Sequence, residues 1–364
     1  MSKLRTQPNS NEIVLKGKKV NFPLCLAPMV GLSHLALRRV LRSYLPPDAV
    51  IPWPTEMLNS RKLPYEDLKG TPETLRGDEE TELVPQILGN DEKYISESVT
   101  RLENEWGASG IDINMGCPVQ KALKHNYGVS LMGDAKYASD VVRMTTKNTQ
   151  LPVSVKLRAV EDEKESAADS NKQKLVDFVG GLQEAGASWI CLHPRTAGQK
   201  RRGSADWSQI AWLKNNLKIP VIGNGDIQTV EDVFKMKEET GCNLVMSGRA
   251  LAARPWLLWQ LGEQMGFANP EGRVGSAPKT AIEEGVEYGR SLLQFIDECE
   301  KVFSANLALR KIRFYVRTTH VWLTYGHHLV TLAHRAQNLV ELRELVHEFF
   351  NQAQEMVPRT ELRQ

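Results

Sequence analysis

The feature that most constrains the fold of this chain is an alternation of short apolar runs with longer polar segments over its first two thirds. The apolar runs are rich in β-branched residues, and the segments between them carry apolar residues at helical spacing. This pattern is typical of parallel strands connected by helices. Eight runs predict strands: FPLCLA near Phe22, AVIPWPTE near Val50, ELVPQILG near Val84, GIDINMG near Ile111, PVSVKLR near Val155, SWICLHPR near Ile190, IPVIGNGD near Val221 and NLVMSGR near Val245.

Eight such units within ~250 residues fit one closed (β/α)8 barrel. A doubly wound sheet is the competing arrangement, but no GxGxxG follows the first strand, where a dinucleotide-binding fold would place it. We therefore predict an α/β protein with a (β/α)8 TIM barrel over residues 21–262. An N-terminal extension, residues 1–20, contains EIVLKGKKV, which predicts a hairpin turning at Gly17 below the barrel.

Two further segments complete the predicted organisation. After Arg254 the strand–helix pattern stops, and residues 263–280 supply the Gly and Pro of a linker. Apolar residues then recur at three and four positions, which predicts a C-terminal all-helical domain over residues 281–364. Within the barrel, the charged stretch 160–174 has no apolar period and predicts either a lid or a plain surface loop.

Composition excludes several classes of protein. No run of ~18 apolar residues and no export signal is present, so we expect a cytoplasmic protein that binds no membrane. We also expect a monomer. Five scattered cysteines without a CxxC pair predict reduced thiols and neither a disulfide framework nor a metal site. The net charge of +2 means that any nucleic-acid surface must be a local patch.

Polar residues follow nearly every predicted strand, at the end where barrels of this class hold their active sites. Their convergence is the strongest indication of a catalytic site in this sequence. The set comprises Thr55, Glu56, Gln86, Asn114, Cys117, Lys156, Arg158, His193, Arg195, Asn224, Gly225, Asp226, Gly248 and Arg249.

The last two strands both end in glycine-containing turns, GNGD and SGR. Glycine lets backbone N–H groups approach a phosphate, and the loops after these strands are the usual phosphate site of such barrels. A purely steric need for glycine is the alternative. We predict a phosphate-bearing cofactor with Arg249 as its counter-charge, and an electron-rich ring, such as that of a flavin, beside Gln86, Lys156 and His193.

Cys117 follows a strand directly, in a turn that places its thiol at the barrel mouth. Cys25, Cys191 and Cys242 lie within or beside strands, which is typical of buried structural cysteines. A cysteine thiol is mostly protonated at neutral pH, so it can donate a proton as well as act as a nucleophile.

Residues 301–340 carry several basic and aromatic residues and four histidines but no acidic residue. Arg310, Arg313 and Arg317 predict a basic stripe on one helical face that can bind a phosphate backbone. A solvated basic face, or one paired with acidic residues of the barrel, is an open alternative. A second basic cluster at the barrel mouth comprises Lys200, Arg201 and Arg202.

The motifs of this chain also resemble those of a known family. LAPMVG, NMGCP with a lysine four residues after the cysteine, VSVKLR, HPRTAGQ followed by ADW, VIGNGDI and MSGRA occur in the order found in the dihydrouridine synthases. The resemblance extends from Leu24 to Pro255, and the tail with RFYVRTTHVW is similar to their RNA-binding domain.

The resemblance implies an FMN-dependent oxidoreductase that uses NADPH to reduce the C5–C6 double bond of uridines in tRNA. It implies that Cys117 is the general acid that protonates C5 and that Asn114 and Arg158 hold the uracil. A target base must leave its stack for such chemistry. The implied FMN contacts are Pro28, Met29, Gln86, Lys156, His193, Asn224, Gly225, Asp226, Gly248 and Arg249.

Two loops depart from the family pattern. Residues 122–127 replace a Gly- and Ala-rich stretch with bulkier side chains, and the loop after Arg158 is longer and more charged. Cofactor binding is therefore easier to infer than the target uridine. A barrel oxidoreductase acting on a free small pyrimidine is the alternative, and a flavin-free RNA-binding barrel is a third hypothesis. The basic tail argues against a small-molecule oxidoreductase, and the complete set of cofactor contacts argues against a flavin-free barrel.

Overall fold

The computed structural model describes residues 11–118, 124–160, 168–200 and 202–361. Ten strands occur in these ranges, eight of them at the positions of the predicted apolar runs. They are β1 Val14–Leu15, β2 Lys18–Lys19, β3 Leu24–Leu26, β4 Trp53–Asn59, β5 Leu83–Leu88, β6 Ile111–Met115, β7 Val153–Arg158, β8 Trp189–His193, β9 Val221–Asn224 and β10 Leu244–Ser247.

Strands β3 to β10 form one parallel sheet in which each strand from β4 to β10 pairs with the next. The last strand then pairs with the first, since Val245 of β10 lies in register with Leu24 of β3. This order curls the sheet into a (β/α)8 barrel, which confirms the predicted fold class. Between β3 and β4 the described residues show no ladder pairing, and the amide of Gly31 instead donates to Glu56 Oε2 at 2.5 Å.

Helices follow the strands around the outside of the barrel. Local capping explains several of their starts: Asp91 accepts from the amides of Lys93 and Tyr94, and Thr229 forms a reciprocal capping box with Asp232. The helices are α1 Leu35–Arg42, α2 Glu92–Arg101, α3 Ala135–Lys147, α4 Ala168–Glu184, α5 Ser208–Asn216, α6 Val230–Thr240, α7 Arg249–Ala253 and α8 Leu257–Gln264.

Strands β1 and β2 form an antiparallel hairpin beneath the barrel. Its turn uses Lys16 and Gly17, whose φ angles of +47° and +81° are left-handed. Leu15 is fully buried and faces Gly110, directly before β6, so the hairpin covers the amino-terminal ends of the strands. The first ten residues of the predicted extension lie outside the described residues.

Four α-helices follow in the described residues: α9 Ala281–Val302, α10 Ala305–Thr319, α11 Gly326–Arg335 and α12 Leu339–Phe350. Helix α9 packs on α1, and α10 packs on α7, where Tyr315 donates to the carbonyl of Ala252 at 2.9 Å. Most buried apolar residues of the barrel and of these helices belong to one continuous core, and Leu88 belongs to a small separate cluster. None of the helices in the described part of the chain is both long and apolar enough to cross a membrane.

Candidate active site

The carboxyl ends of the barrel strands surround two adjoining cavities of about 210 and 760 Å³. Because they share walls, the two cavities form one cleft. The smaller cavity lies at the ends of β9 and β10, and the larger one lies between the ends of β4 to β8 and helix α10. Both are lined by Pro28, Met29, Lys156, Arg158, His193 and Arg249.

The two glycine turns bring backbone to the wall of the smaller cavity. Gly225 has a φ of +119°, and a Cβ there would lie 2.8 Å from Ala205 Cβ and 3.1 Å from His193 Cδ2. A Cβ on Gly248 would lie 3.2 Å from Met29 Sδ. Steric packing therefore accounts for Gly225 on its own. The open backbone beside Arg249 still leaves a surface that can hold a phosphate.

Polar side chains at this wall are fixed by neighbouring strands. Asn224 accepts from Lys156 Nζ at 3.2 Å and donates to the carbonyl of Met246 at 2.8 Å, so it links β7, β9 and β10. Asp226 accepts from Arg195 Nη2 at 2.8 Å and from the amide of Ala205 at 2.7 Å. The carboxylate of Asp226, predicted to contact the cofactor, thus also anchors the loop after β8.

Cys117 lines the larger cavity and is half-buried. It lies directly after β6, in the position that the sequence predicted. Its amide donates to Asn114 Oδ1 at 2.9 Å, and its carbonyl accepts from the amide of Val129 at 3.2 Å. Gly128 is left-handed, and a Cβ there would lie 2.6 Å from the carbonyl oxygen of Cys117. The backbone of Cys117 is therefore held from two sides. Cys25, Cys191, Cys242 and Cys299 are all buried.

Tyr127 explains how the unusual loop before Gly128 is accommodated. Its ring is buried with Leu88 and Met57, and its hydroxyl accepts from Arg61 Nε at 2.5 Å. The bulky side chain therefore packs behind Met57, which lines the larger cavity, and supports the loop that contacts Cys117. Residues 122 and 123 of the same loop lie outside the described residues, as does 161–167 of the predicted lid. The prediction of a loop is wrong for residues 168–174, which form the first turns of α4.

Arg158, predicted to bind the substrate, lines both cavities and also connects two loops. Its Nε donates to the carbonyl of Gly116 at 2.9 Å, and its Nη1 donates to the carbonyl of Lys200 at 3.0 Å. The loops after β6 and β8 are thereby joined beside Cys117.

Sequence reasoning missed a buried carboxylate below the cleft. Asp112 accepts from Gln86 Nε2 and from Ser154 Oγ, both at 2.6 Å. Gln86 Oε1 in turn accepts from Asn114 Nδ2 at 2.7 Å. A signal was present, because Asp112 is an acidic residue within an apolar run and lies two positions before Asn114, on the same face of β6.

Helix α10 forms the wall of the larger cavity that faces the barrel mouth, through Phe314, Arg317 and Thr318. The helix is fixed by Lys311, whose Nζ lies 2.7 Å from Glu56 Oε1 in a pair that is almost fully buried. Sequence reasoning gave neither partner this role.

The predicted basic residues divide into two groups. Arg310 and Arg317 are exposed on α10, and Lys200 and Arg202 are exposed at the barrel mouth. Arg313 differs, because its guanidinium donates to backbone carbonyls at the end of α11, including that of Ala336 at 2.6 Å. The structure thus brings Arg317 and Lys200 to the cleft and gives Arg313 a structural partner. Arg201 lies outside the described residues.

The chain is similar to proteins of one known family. The family model described as dihydrouridine synthase (Dus) matches residues 25–354. A probable tRNA-dihydrouridine synthase 1 from Synechocystis sp. is 34% identical over 236 residues, which are 65% of this chain and 63% of that protein. This chain therefore spans less than two thirds of the length of that relative.

Two further relatives are matched over more of their length. A probable tRNA-dihydrouridine synthase from Rickettsia conorii is 29% identical over 76% of this chain and 79% of its own. One from Mycobacterium tuberculosis is 32% identical over 72% of this chain and 67% of its own. Among solved structures, the crystal structure of TcOYE with pHBA aligns with a TM-score of 0.48 and 9% identity, over 72% of this chain and 94% of that one.

Proposed function

This chain belongs to the dihydrouridine synthase family, and we propose that it is an FMN-dependent oxidoreductase that uses NADPH to reduce the C5–C6 bond of specific uridines in tRNA. The observation that carries the proposal is the arrangement of one cleft. It has glycine turns and Arg249 at one end, Cys117 at the other, and the basic helix α10 above them.

The shape and lining of the cleft support FMN as the proposed cofactor. FMN has a compact phosphate at one end and a larger flat ring at the other. The smaller cavity suits the phosphate in size, and the larger cavity suits the ring. Gly225, Gly248 and Arg249 would hold the phosphate, with Asn224 and Asp226 shaping the wall around it. The ring would lie against Pro28 and Met29, with Gln86, Lys156 and His193 at its polar edge. Bound FMN, reduced by NADPH, would supply the hydride for C6.

The protein would supply the proton. In our proposal the Cys117 thiol donates to C5 of the uracil while the hydride reaches C6, so one proton and one hydride are added across the double bond. The thiolate then regains its proton from solvent. Asn114 and Arg158, which line the same cavity, would hold the polar edge of the base.

The roof of the cavity suits a base presented by RNA. A uridine must leave its stack to reach C5 and C6, and a cavity of about 760 Å³ can receive a flipped base. Arg317 and Lys200 line this cavity, and Arg310 and Arg202 are exposed on the same helix and loop; these four residues would contact phosphates. A free small pyrimidine would need none of these charges. We also propose that the protein acts as a monomer, in the cytoplasm where tRNA is found.

Substitution of the cysteine tests the proposal. The purified protein should carry FMN absorbance, and Cys117→Ala should keep FMN and still oxidise NADPH. Formation of dihydrouridine in unmodified tRNA should fall ~10²- to 10⁴-fold, because the general acid is lost.

The matched control is Cys299→Ala, which changes a buried cysteine of α9 and should leave dihydrouridine formation unchanged. A colourless protein that cannot be reconstituted with FMN would refute the cofactor assignment. Full product formation by Cys117→Ala would remove Cys117 from the proton-donor role.

A further inference from the structure

A chain of hydrogen bonds runs beneath the cleft from a buried carboxylate to the backbone of Cys117. Asp112 Oδ2 accepts from Gln86 Nε2 at 2.6 Å, and Gln86 Oε1 accepts from Asn114 Nδ2 at 2.7 Å. Asn114 Oδ1 then accepts from the amides of Gly116 and Cys117 at 3.1 and 2.9 Å. All three side chains are buried, with at most 9% of their surface exposed.

The two ends of this series of hydrogen bonds define its direction. An ionised carboxylate can only accept hydrogen bonds, and a backbone amide can only donate them. Each primary amide between them has one donating end and one accepting end. The amides of Gln86 and Asn114 therefore have one mutually consistent orientation. Reversal of either would place two acceptors or two donors in contact, and an unpaired buried polar group is costly.

This orientation also determines what the cleft presents to a ligand. Each primary amide has two N–H donors, and each residue uses one of them in this series of hydrogen bonds. One N–H of Gln86 and one of Asn114 remain, and both residues line the larger cavity. These donors suit the carbonyl oxygens and ring nitrogens of a flavin or a uracil.

We propose that Asp112 is a positioning residue of this site, which orients the amides of Gln86 and Asn114 and thereby holds Cys117 in place. The inference rests on the proposed function, in which Cys117 donates the proton. Asp112 touches neither substrate nor cofactor and acts through Gln86. Ser154, at 2.6 Å from its other oxygen, holds the carboxylate itself.

The test separates two half-reactions in Asp112→Ala. Without the carboxylate, Gln86 can reverse and Asn114 loses its fixed partner. We expect FMN reduction by NADPH within about threefold of wild type, whereas transfer to tRNA in a single turnover falls ~10²-fold, as misplaced reacting groups do. The rate at which iodoacetamide alkylates Cys117, followed by mass spectrometry, should also change.

Two variants serve as controls. Asp112→Asn should recover part of the transfer rate, because its carbonyl can still accept from Gln86 while its amide donates to Ser154. Recovery is incomplete because a turned Asn side chain can donate to Gln86 and so permits the reversed amide, as a protonated Asp112 would. Asp232→Ala removes another buried carboxylate, which caps α6 and pairs with Arg359. It should lower thermal stability without changing the ratio of the two half-reactions.

Several results would overturn the inference. They are a wild-type transfer rate in Asp112→Ala, an equal loss of both half-reactions, and no recovery in Asp112→Asn. If wild-type protein makes no dihydrouridine, the proposed function fails instead. The alkylation rate of Cys117 in Asp112→Ala then still decides whether Asp112 positions it, with an unchanged rate counting against that role.

Discussion

Burial of the Asp112 carboxylate raises its pKa, because the charged form loses water, and the hydrogen bonds from Ser154 and Gln86 and the charge of Lys156 offset this only in part. The thiols of Cys25 and Cys191 also face this interior. Burial raises the pKa of Cys25 well above its usual value and that of Cys191 to about 12, so both stay protonated at neutral pH. Of these three groups, Asp112 is therefore the one whose charge changes as the pH falls below neutral.

We predict that transfer to tRNA declines on acidification through the raised pKa of Asp112. A protonated carboxyl can donate to Gln86 and so permits the reversed amide. Protonation of Asp112 should lower transfer but raise the stability of the fold. A carboxyl with a raised pKa stabilises the fold at low pH and loses that contribution as the pH rises through the folded pKa. Single-turnover pH profiles of wild type and Asp112→Asn measure this. An equal acid decline in both would contradict it.

Gly128 allows a second prediction for a single residue. Its φ is +58°, and a Cβ would clash with the carbonyl of Cys117. Gly128→Ala should therefore displace Cys117 and reduce dihydrouridine formation ~10-fold or more, while FMN binding and NADPH oxidation persist. Gly133→Ala is the matched control, because nothing lies within 4 Å of a Cβ there. Equal activity of the two variants would show that the contact with Gly128 does not hold Cys117.

Single residues also show the limit of sequence reasoning. Cys117, Lys156 and His193 could be placed at one cleft because all parallel strands of a barrel end on the same side. Their partners could not be predicted, since the bond between Asp226 and Arg195, like that between Gln86 and Asp112, depends on the conformation of separate loops and strands.

At the scale of elements, Glu56 joins three parts of the fold. It lies within β4, accepts from the amide of Gly31 after β3, and pairs with Lys311 of α10. The side chains of Glu56 and Lys311 are 3% and 11% exposed, so water screens the pair little. Loss of one partner would leave a buried, uncompensated charge.

We predict that Lys311→Met lowers the free energy of unfolding by about 3 kcal/mol, measured by urea denaturation. Adding Glu56→Gln should restore part of this loss, because the uncompensated carboxylate is then neutral. Lys235→Met breaks a largely exposed pair with Glu239 and should cost at most about 0.5 kcal/mol. A similar cost for the two single variants would show that burial of the Lys311 pair has no energetic consequence.

Elements were predictable where their pattern is periodic. The eight barrel strands and the C-terminal helices follow directly from apolar spacing, because each buries one or both faces. The packing of α9 on α1 and of α10 on the barrel mouth was not predictable. It depends on side chains more than 200 positions apart in the sequence, such as Glu56 and Lys311.

For the whole molecule, the important feature is that one core supports both the barrel and the helices. The cleft is formed between them, with barrel strand ends below and α10 above. In the proposed reaction, the flipped base enters the cleft and contacts the protein groups that hold it, while the RNA backbone stays outside. The acid-free segment 301–340 contains α10, whose Phe314, Arg317 and Thr318 line the larger cavity.

The central claim is that this chain reduces uridine in tRNA. It is tested most directly by mapping dihydrouridine, position by position, in RNA from cells with and without the gene. We predict loss at particular tRNA positions, restored by the wild-type gene and not by Cys117→Ala. Unchanged maps in cells that also lack related enzymes would contradict the claim and would favour a free small pyrimidine as the substrate.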